Sequence, residues 1–145
     1  MKKGGLRFNA GKLKWGLVSW RALAPMVQVL MYGAHKYTTF KKEDGTTITG
    51  AEISVEDAKG LEVVSSGANN WKLGLNYVGI TESLKRHLFA FLEGEDVDDE
   101  SGISHVGHIL CNAMFLSYMV LFRKDLDDRF VDENFKESDN DFFEF

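Results

Sequence analysis

The chain has 145 residues, of which 44% are hydrophobic, and a formal net charge of −5. This length and composition suit one globular domain and exclude a largely disordered chain. A single cysteine excludes an internal disulfide and an all-cysteine zinc site, and no run of 18 apolar residues predicts a membrane span. We therefore expect a cytoplasmic domain that does not enter a membrane.

Charge is distributed unevenly along the chain. Residues 125–145 contain nine acidic and two basic residues, a local charge of −7, whereas the first segment is rich in lysine. The chain before residue 125 is not basic enough to predict bulk nucleic-acid binding. The acidic tail ends in aromatic residues, so it is either a solvated end or a segment that binds a basic, apolar groove on a partner protein.

The first motif, GLRFNAGKL, has the composition of a phosphate-binding loop but not its spacing. Such a loop requires G-x-x-x-x-G-K-[ST]. Here five residues separate Gly5 from Gly11, and Leu13 stands where a hydroxyl is needed. We reject a phosphate loop and retain Lys12 as a candidate phosphate contact.

Apolar spacing predicts a first helix that begins after Ser19, an N-cap, and runs to about Tyr37. Pro25 is expected to kink or restart this helix. Its predicted buried stripe consists of Leu23, Met26, Val27, Leu30 and Met31.

Residues 38–70 differ in character from the helical segments around them. Threonine and isoleucine flank Asp44-Gly45, which predicts a β-hairpin. Ser54 followed by acidic residues predicts a short helix. We interpret this segment as an insertion in a helical core.

Two further helices are predicted, from about Thr81 to Glu93 and from about Ile103 to Phe122. Gly94 is a natural stop for the first, and Ser101 is a candidate cap for the second. Apolar residues cover more than half of the last helix, which predicts a central position in the bundle and contacts with further copies of the chain. The predicted fold is all-α: a helical bundle over residues 1–124 with a small β-hairpin insertion.

The segment between these two helices carries the chemistry. Glu95–Glu100 contains five acids in six residues, and His105 and His108 follow at a spacing that places both imidazoles on one side of a helix. Imidazoles and carboxylates on facing helices suit a divalent transition metal. The alternative is a solvated turn followed by ordinary helix-surface histidines.

A second cluster combines aromatic and polar residues in YGAHKY and NNW. An aromatic ring near asparagine and lysine suits a nucleotide base and its phosphates. The alternative is that Trp71 and Tyr37 are core residues and that Lys36 interacts with a helix dipole.

Four motifs in this order, GLRFNAGKLKWGLV, YGAHKY, NW and RHLFAFLEGEDVDDESGISHVGHILCN, resemble the dATP/dGTP diphosphohydrolase N-terminal domain family of phages and bacteria. The resemblance covers roughly residues 4–122 without the insertion. It implies an all-α domain related to the MazG-like nucleoside triphosphate pyrophosphohydrolases. Its implied activity is the metal-dependent hydrolysis of a purine (d)NTP to monophosphate and pyrophosphate, with Mg²⁺ or Mn²⁺, in phage nucleotide metabolism.

The motif positions also imply roles for individual residues. Catalysis is assigned to Glu95, Asp98 and His108, and metal binding to Glu93, Asp96, Glu100, His105 and His108. Substrate binding is assigned to Lys12, Lys36, Tyr37, Asn70, Trp71, Arg86, His87 and Asn112.

Two other functions stay open. The E-x-x-E and E-x-x-D motifs of MazG-like enzymes are not found on the main helices, which favours a non-catalytic protein that sequesters a nucleotide or a nucleotide defence signal of the host. Alternatively, the chain is an adaptor that recruits a partner through its acidic tail.

Overall fold

A computed structural model of the chain describes residues 4–8 and 10–135. It contains three α-helices, α1 (Trp20–Lys36), α2 (Tyr77–Leu92) and α3 (His105–Phe122), and a three-stranded antiparallel sheet inserted between α1 and α2. Both α1 and α2 pack against α3, which is therefore the central helix, as predicted. The helical architecture is confirmed, but the sheet makes the fold mixed rather than all-α.

Helix α1 begins where its cap predicts. The Ser19 hydroxyl accepts a hydrogen bond from the Ala22 amide at 3.3 Å, and the helix then runs without interruption through Pro25. Of the two predictions for Pro25, the restart is therefore wrong, and the kink stays a prediction. At this point α1 crosses α3 closely, because a Cβ on Gly107 would lie 2.7 Å from the Pro25 carbonyl oxygen. Glycine is required at this crossing.

The predicted buried stripe on α1 is only partly covered. Leu23, Met26 and Leu30 are half-buried, whereas Val27 and Met31 are exposed. Helix α1 packs mainly against one neighbour, α3, so a stripe wide enough for two neighbours stays partly uncovered.

The sheet comprises β1 (Thr39–Lys41), β2 (Thr47–Thr49) and β3 (Glu62–Ser65) in the order β2-β1-β3. The hairpin around Asp44-Gly45 is confirmed. The short helix predicted after Ser54 is wrong: the Ser54 hydroxyl accepts from the Asp57 amide at 3.0 Å within a turn, and no helix is assigned at 54–60. Residues that follow this turn pair with β1 instead.

Hydrogen bonds attach the insertion to the end of α1. The Thr38 hydroxyl donates to the Ala34 carbonyl at 2.6 Å and accepts from the Gly67 amide at 2.9 Å. His35 Nε2 donates to the Ile53 carbonyl at 2.7 Å. The chain thus leaves α1 and returns beside it at Gly67, which brings the following 3₁₀ helix, Asn70–Leu73, next to the last turn of α1.

Helices α2 and α3 form the antiparallel pair that the sequence predicts, with shifted starts. Helix α2 begins at Tyr77, before the predicted Thr81, and Gly94 ends it with φ +97°. The N-cap of α3 is Ser104, whose hydroxyl accepts from the Gly107 amide at 3.1 Å, and not Ser101.

The main apolar core lies at one end of this pair. Tyr77, Ile80 and Met119 are buried there, and Leu126 packs against them. Beyond α3 the chain folds back, and the Asp128 carboxylate accepts from the Val78 amide in the first turn of α2 at 2.9 Å. The acidic segment thus begins in contact with the helices, while residues 136–145, with the last aromatics, lie outside the described residues.

By length and composition alone, α3 meets the criteria of a membrane span, and it is the one helix within residues 4–8 and 10–135 that does so. The central helix of a bundle meets the same criteria. Helix α3 packs against both α1 and α2 and presents two histidines to α2.

Candidate functional site

A cavity of about 280 Å³ lies between the C-terminal half of α1, α2, the N-terminal half of α3 and the loop that joins α2 to α3. Many of the residues that the sequence singles out line it: Lys36, Tyr37, Asn70, Trp71, His87, Asp98, Glu100 and His108. Segments far apart in the sequence therefore meet around one space.

The loop between α2 and α3 is fixed by its backbone. Val97 and Ser104 form an isolated β-bridge, the Asp98 amide donates to the Ile103 carbonyl at 2.9 Å, and the His105 amide donates to the Asp96 carbonyl at 2.9 Å. These bonds turn the acidic segment back over the start of α3. The Asp98 side chain consequently points to the histidines rather than to solvent.

Three histidines, His87, His105 and His108, form a histidine cluster between α2 and α3. Their contacts are close: 2.9 Å between the Nδ1 atoms of His87 and His105, and 4.2 Å between the nearly parallel rings of His87 and His108. A hydrogen bond needs one donor and one acceptor, so when both rings are neutral the ring that donates from Nδ1 carries its free lone pair on Nε2. The cluster thus offers a nitrogen that can bind a metal.

Asp98 and Ser101 hold His108 in place. The Asp98 carboxylate accepts from the Ser101 amide at 2.9 Å and from its hydroxyl at 2.8 Å, and His108 Nε2 lies 2.7 Å from the same hydroxyl oxygen. Because the Ser101 proton is directed to Asp98, His108 Nε2 carries the hydrogen and donates to Ser101. The tautomer of His108 follows from this chain of bonds.

The electrostatics keep these groups in the forms that bind metals. Burial lowers the pKa of both His87 and His108, which favours neutral imidazoles near pH 7. Burial by itself raises the pKa of Asp98, but the two hydrogen bonds from Ser101 and the neighbouring histidines outweigh it, and the net pKa is lowered. Neutral imidazoles and an ionised carboxylate are the forms that bind a divalent cation.

One potential ligand atom from each of His87, Asp98 and His105 lies within 4.8 Å of the other two. His105 Nε2 is buried without a hydrogen-bond partner in the described part of the chain, and the nearest Glu95 carboxylate oxygen is 3.6 Å away. A buried nitrogen left in this state indicates that the protein alone does not satisfy the cluster. Two imidazoles and one carboxylate fit Mn, Fe or Zn better than Mg, which prefers oxygen ligands.

Lys36 supplies positive charge at the opposite wall. Its Nζ lies 2.8 Å from Glu100 Oε1, and the Tyr32 hydroxyl lies 3.5 Å from the same oxygen. The hydrogen bond to Glu100 raises the pKa of Lys36. Within the described residues, the cavity lining contains no other lysine or arginine. An anion that enters the cavity therefore competes with Glu100 for Lys36.

Aromatic side chains form the third wall. Trp71 stacks on Phe115 with ring centroids 4.8 Å apart and meets Tyr118 edge-on at 4.9 Å. Trp71 thus belongs to the core even though part of it lines the cavity. Tyr37 is exposed at the rim, and its ring is the freer of the two candidates for stacking on a base.

Other candidate residues lie outside the cavity. Asn112 donates to the Ser83 hydroxyl at 3.2 Å and to the His108 carbonyl at 2.9 Å, and it lines a neighbouring pocket. Glu95 approaches His105 but does not line the cavity. Five more candidates are not part of the lining: His105 is buried, and the other four, Lys12, Arg86, Glu93 and Asp96, are exposed.

Geometry explains why these candidates lie outside the cavity lining and why two residues of the site were not predicted from the sequence. Arg86 precedes His87 by one residue and is rotated about 100° around α2, away from it. Lys12 lies before α1, at the opposite end from Lys36. Tyr32 and Ser101 were missed, although Tyr32 stands four residues before Lys36 and Ser101 three after Asp98. The spacing of four on α1 was a sufficient signal for Tyr32, whereas the contact of Ser101 with Asp98 depends on the turn of the loop.

The fold and cavity define a helical domain with a histidine–carboxylate cluster that could hold a metal ion, near a lysine and an aromatic wall. Comparison with known sequences shows that the chain belongs to the family described as dATP/dGTP diphosphohydrolase, N-terminal, which matches residues 2–129. The resemblance predicted from its motifs is confirmed.

One curated relative is the dATP/dGTP diphosphohydrolase of Salmonella phage PMBT28, which is 26% identical over 125 residues. The match covers 86% of this chain and 33% of the relative, so the chain spans about a third of that protein's length. No solved structure matches the chain. The chain is therefore placed in a nucleotide-hydrolase family through its sequence.

Proposed function

We propose that the domain is a metal-dependent pyrophosphohydrolase that converts a purine (d)NTP to its monophosphate and pyrophosphate. The observation that carries this proposal is the candidate metal cluster of His87, Asp98 and the buried His105, two members of which, His87 and Asp98, line the same cavity as Lys36. The name of the phage relative supports dATP and dGTP as the first substrates to test and phage nucleotide metabolism in the host cytoplasm as the setting.

In this proposal His87, His105 and Asp98 hold the divalent cation. Two neutral imidazoles and a carboxylate would leave coordination positions for phosphate oxygens and water. A bound cation supplies charge neutralisation on the triphosphate and lowers the pKa of a coordinated water. Because the donors are mainly nitrogen, Mn²⁺ is expected to support more activity than Mg²⁺.

The other residues bind and orient the substrate. Lys36 exchanges its ion pair with Glu100 for one with a phosphate, and Tyr37 stacks on the base at the rim of the cavity. His108 lines the cavity with a lowered pKa, so it is neutral near pH 7 and suited to accept the proton of the attacking water. Asp98 and Ser101 keep its ring oriented.

To test this, the purified protein is incubated with ATP, GTP, dATP or dGTP in separate reactions, each with either Mn²⁺ or Mg²⁺. The products are separated by anion exchange. We expect monophosphate and pyrophosphate in equal amounts from a purine nucleotide. His87→Ala should abolish the products, whereas Lys85→Ala, an exposed change two residues earlier on α2, should not. Monophosphate formed equally well by His87→Ala would refute the proposed site.

A second function, nucleotide binding without catalysis, is favoured by one observation. The group of described residues that could hold a metal ion contains a single carboxylate, Asp98, whereas the MazG-like enzymes use several. A binder would retain dGTP or dATP in equilibrium dialysis and return it unchanged. Intact nucleotide recovered from a stable complex, across both metals, would therefore select this alternative.

A further inference from the structure

The segment before α1 has almost no support from its own chain. We call residues 4–8 and 10–17 the arm. Its apolar side chains are exposed almost as fully as in an unfolded chain: Leu6 by 92%, Phe8 by 87% and Leu17 by 85%. The family match nevertheless begins at residue 2, so the arm is part of the shared domain. A shared segment with bare apolar side chains indicates a surface that another molecule covers.

The arm also carries unpaired positive charge. Arg7, Lys12 and Lys14 form no ion pair with any described residue. These cations alternate with the apolar side chains, so a surface that covers the arm would have to be both apolar and acidic.

An acidic surface of this kind borders the cavity. Asp96 and Asp99 are exposed on the loop between α2 and α3, and their side chains form no hydrogen bond or ion pair with the described residues. Asp98 and Glu100, on the same loop, line the cavity itself. The loop is thus complementary in charge to the arm, and it stands at the place where a phosphate would enter.

The cavity lacks the positive charge that a triphosphate requires. Lys36 is the single lysine or arginine found in its described lining, and Glu100 neutralises it. A cation at the histidine cluster would offset part of the substrate charge. Further cationic side chains have to come from outside the cavity, and the arm carries three that form no ion pair with any described residue.

A matching apolar surface lies on α1. Trp20, Val27 and Met31 are all exposed, and their spacings of seven and four place them on one face of the helix. No other described element covers this face. It offers the apolar contact that Leu6 and Phe8 lack within their own chain.

We propose that two copies of the chain exchange their arms, so that the arm of each lies on the apolar α1 face and the acidic loop of the other and brings Lys12 to its cavity. The role of Lys12 toward phosphate rests on the proposed function, whereas the exchange itself does not. Exchange between two equivalent copies closes with two-fold symmetry and leaves no arm uncovered. Within one chain the arm joins the end of α1 that lies far from the cavity. Helix α1 has 17 residues and is about 25 Å long.

Crosslinking between two variants tests the exchange directly. Lys12→Cys and Asp99→Cys are purified separately, mixed and treated with a short bis-maleimide, so that a Lys12-to-Asp99 crosslink forms only between copies. The native thiol does not interfere, because Cys111 is buried and burial raises its pKa to about 12. We expect more crosslinked dimer in the mixture than in either variant by itself. Lys59→Cys, on the insertion, replaces Lys12→Cys in the control and should give no such product.

A chain with both cysteines distinguishes the exchange from the intramolecular alternative. If this double variant crosslinks within single chains while the mixture gives no dimer, the arm closes its own cavity and the proposal is wrong. Absence of both products also overturns it, because the arm then does not reach the loop at all.

The mass in solution provides a second, independent measurement. Light scattering should give twice the chain mass for the wild type and the chain mass for Leu6→Asp combined with Phe8→Asp. Val55→Asp, an exposed apolar position on the insertion, should remain dimeric. A monomeric wild type overturns the proposal, including the case in which a different protein covers the arm. Neither measurement uses turnover, so an inactive but arm-exchanged dimer would refute the proposed function alone.

Discussion

Helices α2 and α3 pack against each other in two different ways along their length. Where α2 begins and α3 ends, Tyr77, Ile80 and Met119 form the buried apolar core. Where α2 ends and α3 begins, the contact is made by histidines, with His87 between His105 and His108. The same helix pair therefore carries the core at one end and the candidate site at the other.

The two ends differ in how completely their polar groups are satisfied. At the core end the Tyr77 hydroxyl donates to the Met119 carbonyl at 3.2 Å, so this buried group has a partner. At the histidine end His105 Nε2 is buried without one in the described chain. An unsatisfied buried polar atom costs about 1–3 kcal/mol. The apolar end stabilises the helix pair and so permits the histidine end to keep groups available for a ligand.

The largest effect on stability is expected at the apolar end. Met119→Ala should lower the free energy of unfolding by about 2–5 kcal/mol, because it removes a fully buried side chain and leaves a cavity. Leu121→Ala, an exposed position on the same helix, should change it by less than about 0.5 kcal/mol. Urea denaturation of the two variants measures the difference. Equal losses would show that α3 is oriented differently.

The largest effect on ligand binding is expected at the histidine end. Asp98→Asn should weaken Mn²⁺ binding by more than about 100-fold, beyond the loss typical of changes outside the ligand shell. Glu93→Gln should leave the affinity unchanged, since Glu93 is exposed and does not line the cavity. Calorimetric titration distinguishes these outcomes. A loss in Glu93→Gln as large as that in Asp98→Asn would favour the ligand set predicted from the motif.

The histidine end should make the metal-free protein sensitive to acid. Burial lowers the pKa of His87 and His108 in the folded state, so between the ordinary histidine pKa of about 6.5 and their folded values the unfolded chain binds more protons. The free energy of unfolding should therefore fall as the pH drops below about 6.5 and be unaffected by these groups above it. His108→Gln should reduce this slope in urea titrations with a chelator present. An unchanged slope would show that His108 is already protonated in the folded protein or is not buried.

The chain that follows α3 supports the apolar end by capping α2. Asp128→Ala should lower the free energy of unfolding by about 1 kcal/mol, because the Val78 amide loses its acceptor. Asp132→Ala, which removes a contact within a local turn at Asn134, serves as the control and should have a smaller effect. Thermal unfolding of both variants tests whether this segment belongs to the folded unit, and equal midpoints would argue that it does not.

The smallest expected effect on stability concerns the ion pair across the cavity. Glu100→Gln should cost less than about 1 kcal/mol, because the pair is largely exposed. Its removal frees Lys36, so the affinity for inorganic triphosphate should rise while the Mn²⁺ affinity stays constant. Weaker Mn²⁺ binding in this variant would instead support Glu100 as a metal ligand.

Local chemistry in the sequence predicts much of the fold. Ser19 as an N-cap, Asp44-Gly45 as a hairpin turn and Gly94 as a helix stop all depend on backbone groups within a few residues, and all three are confirmed. Strand β3 was missed because no tight turn marks its four residues, whereas Asp44-Gly45 marks the still shorter β1 and β2. Its pairing with β1, more than 20 residues earlier, is what makes it a strand.

The candidate site was predictable to the extent that it lies on one helix. The spacing of His105 and His108 suffices to place them on one side of α3. His87 was expected to bind substrate, and its contact with His105 depends on how α2 and α3 are aligned. Likewise, Lys36 and Glu100 meet across 64 positions of sequence, a contact that no local pattern indicates.

The sequence by itself determined the family, the three helices, the hairpin and the residue types from which the candidate site is built. The tertiary structure alone decided which of those residues meet: Asp98 rather than Glu93 joins the histidines, Asn112 binds Ser83, and Trp71 packs into the core. The physical reason is the range of the interactions. Caps, turns and helical faces are set by neighbours in the chain, whereas a ligand cluster or a cavity wall is set by the packing of segments that the chain keeps far apart.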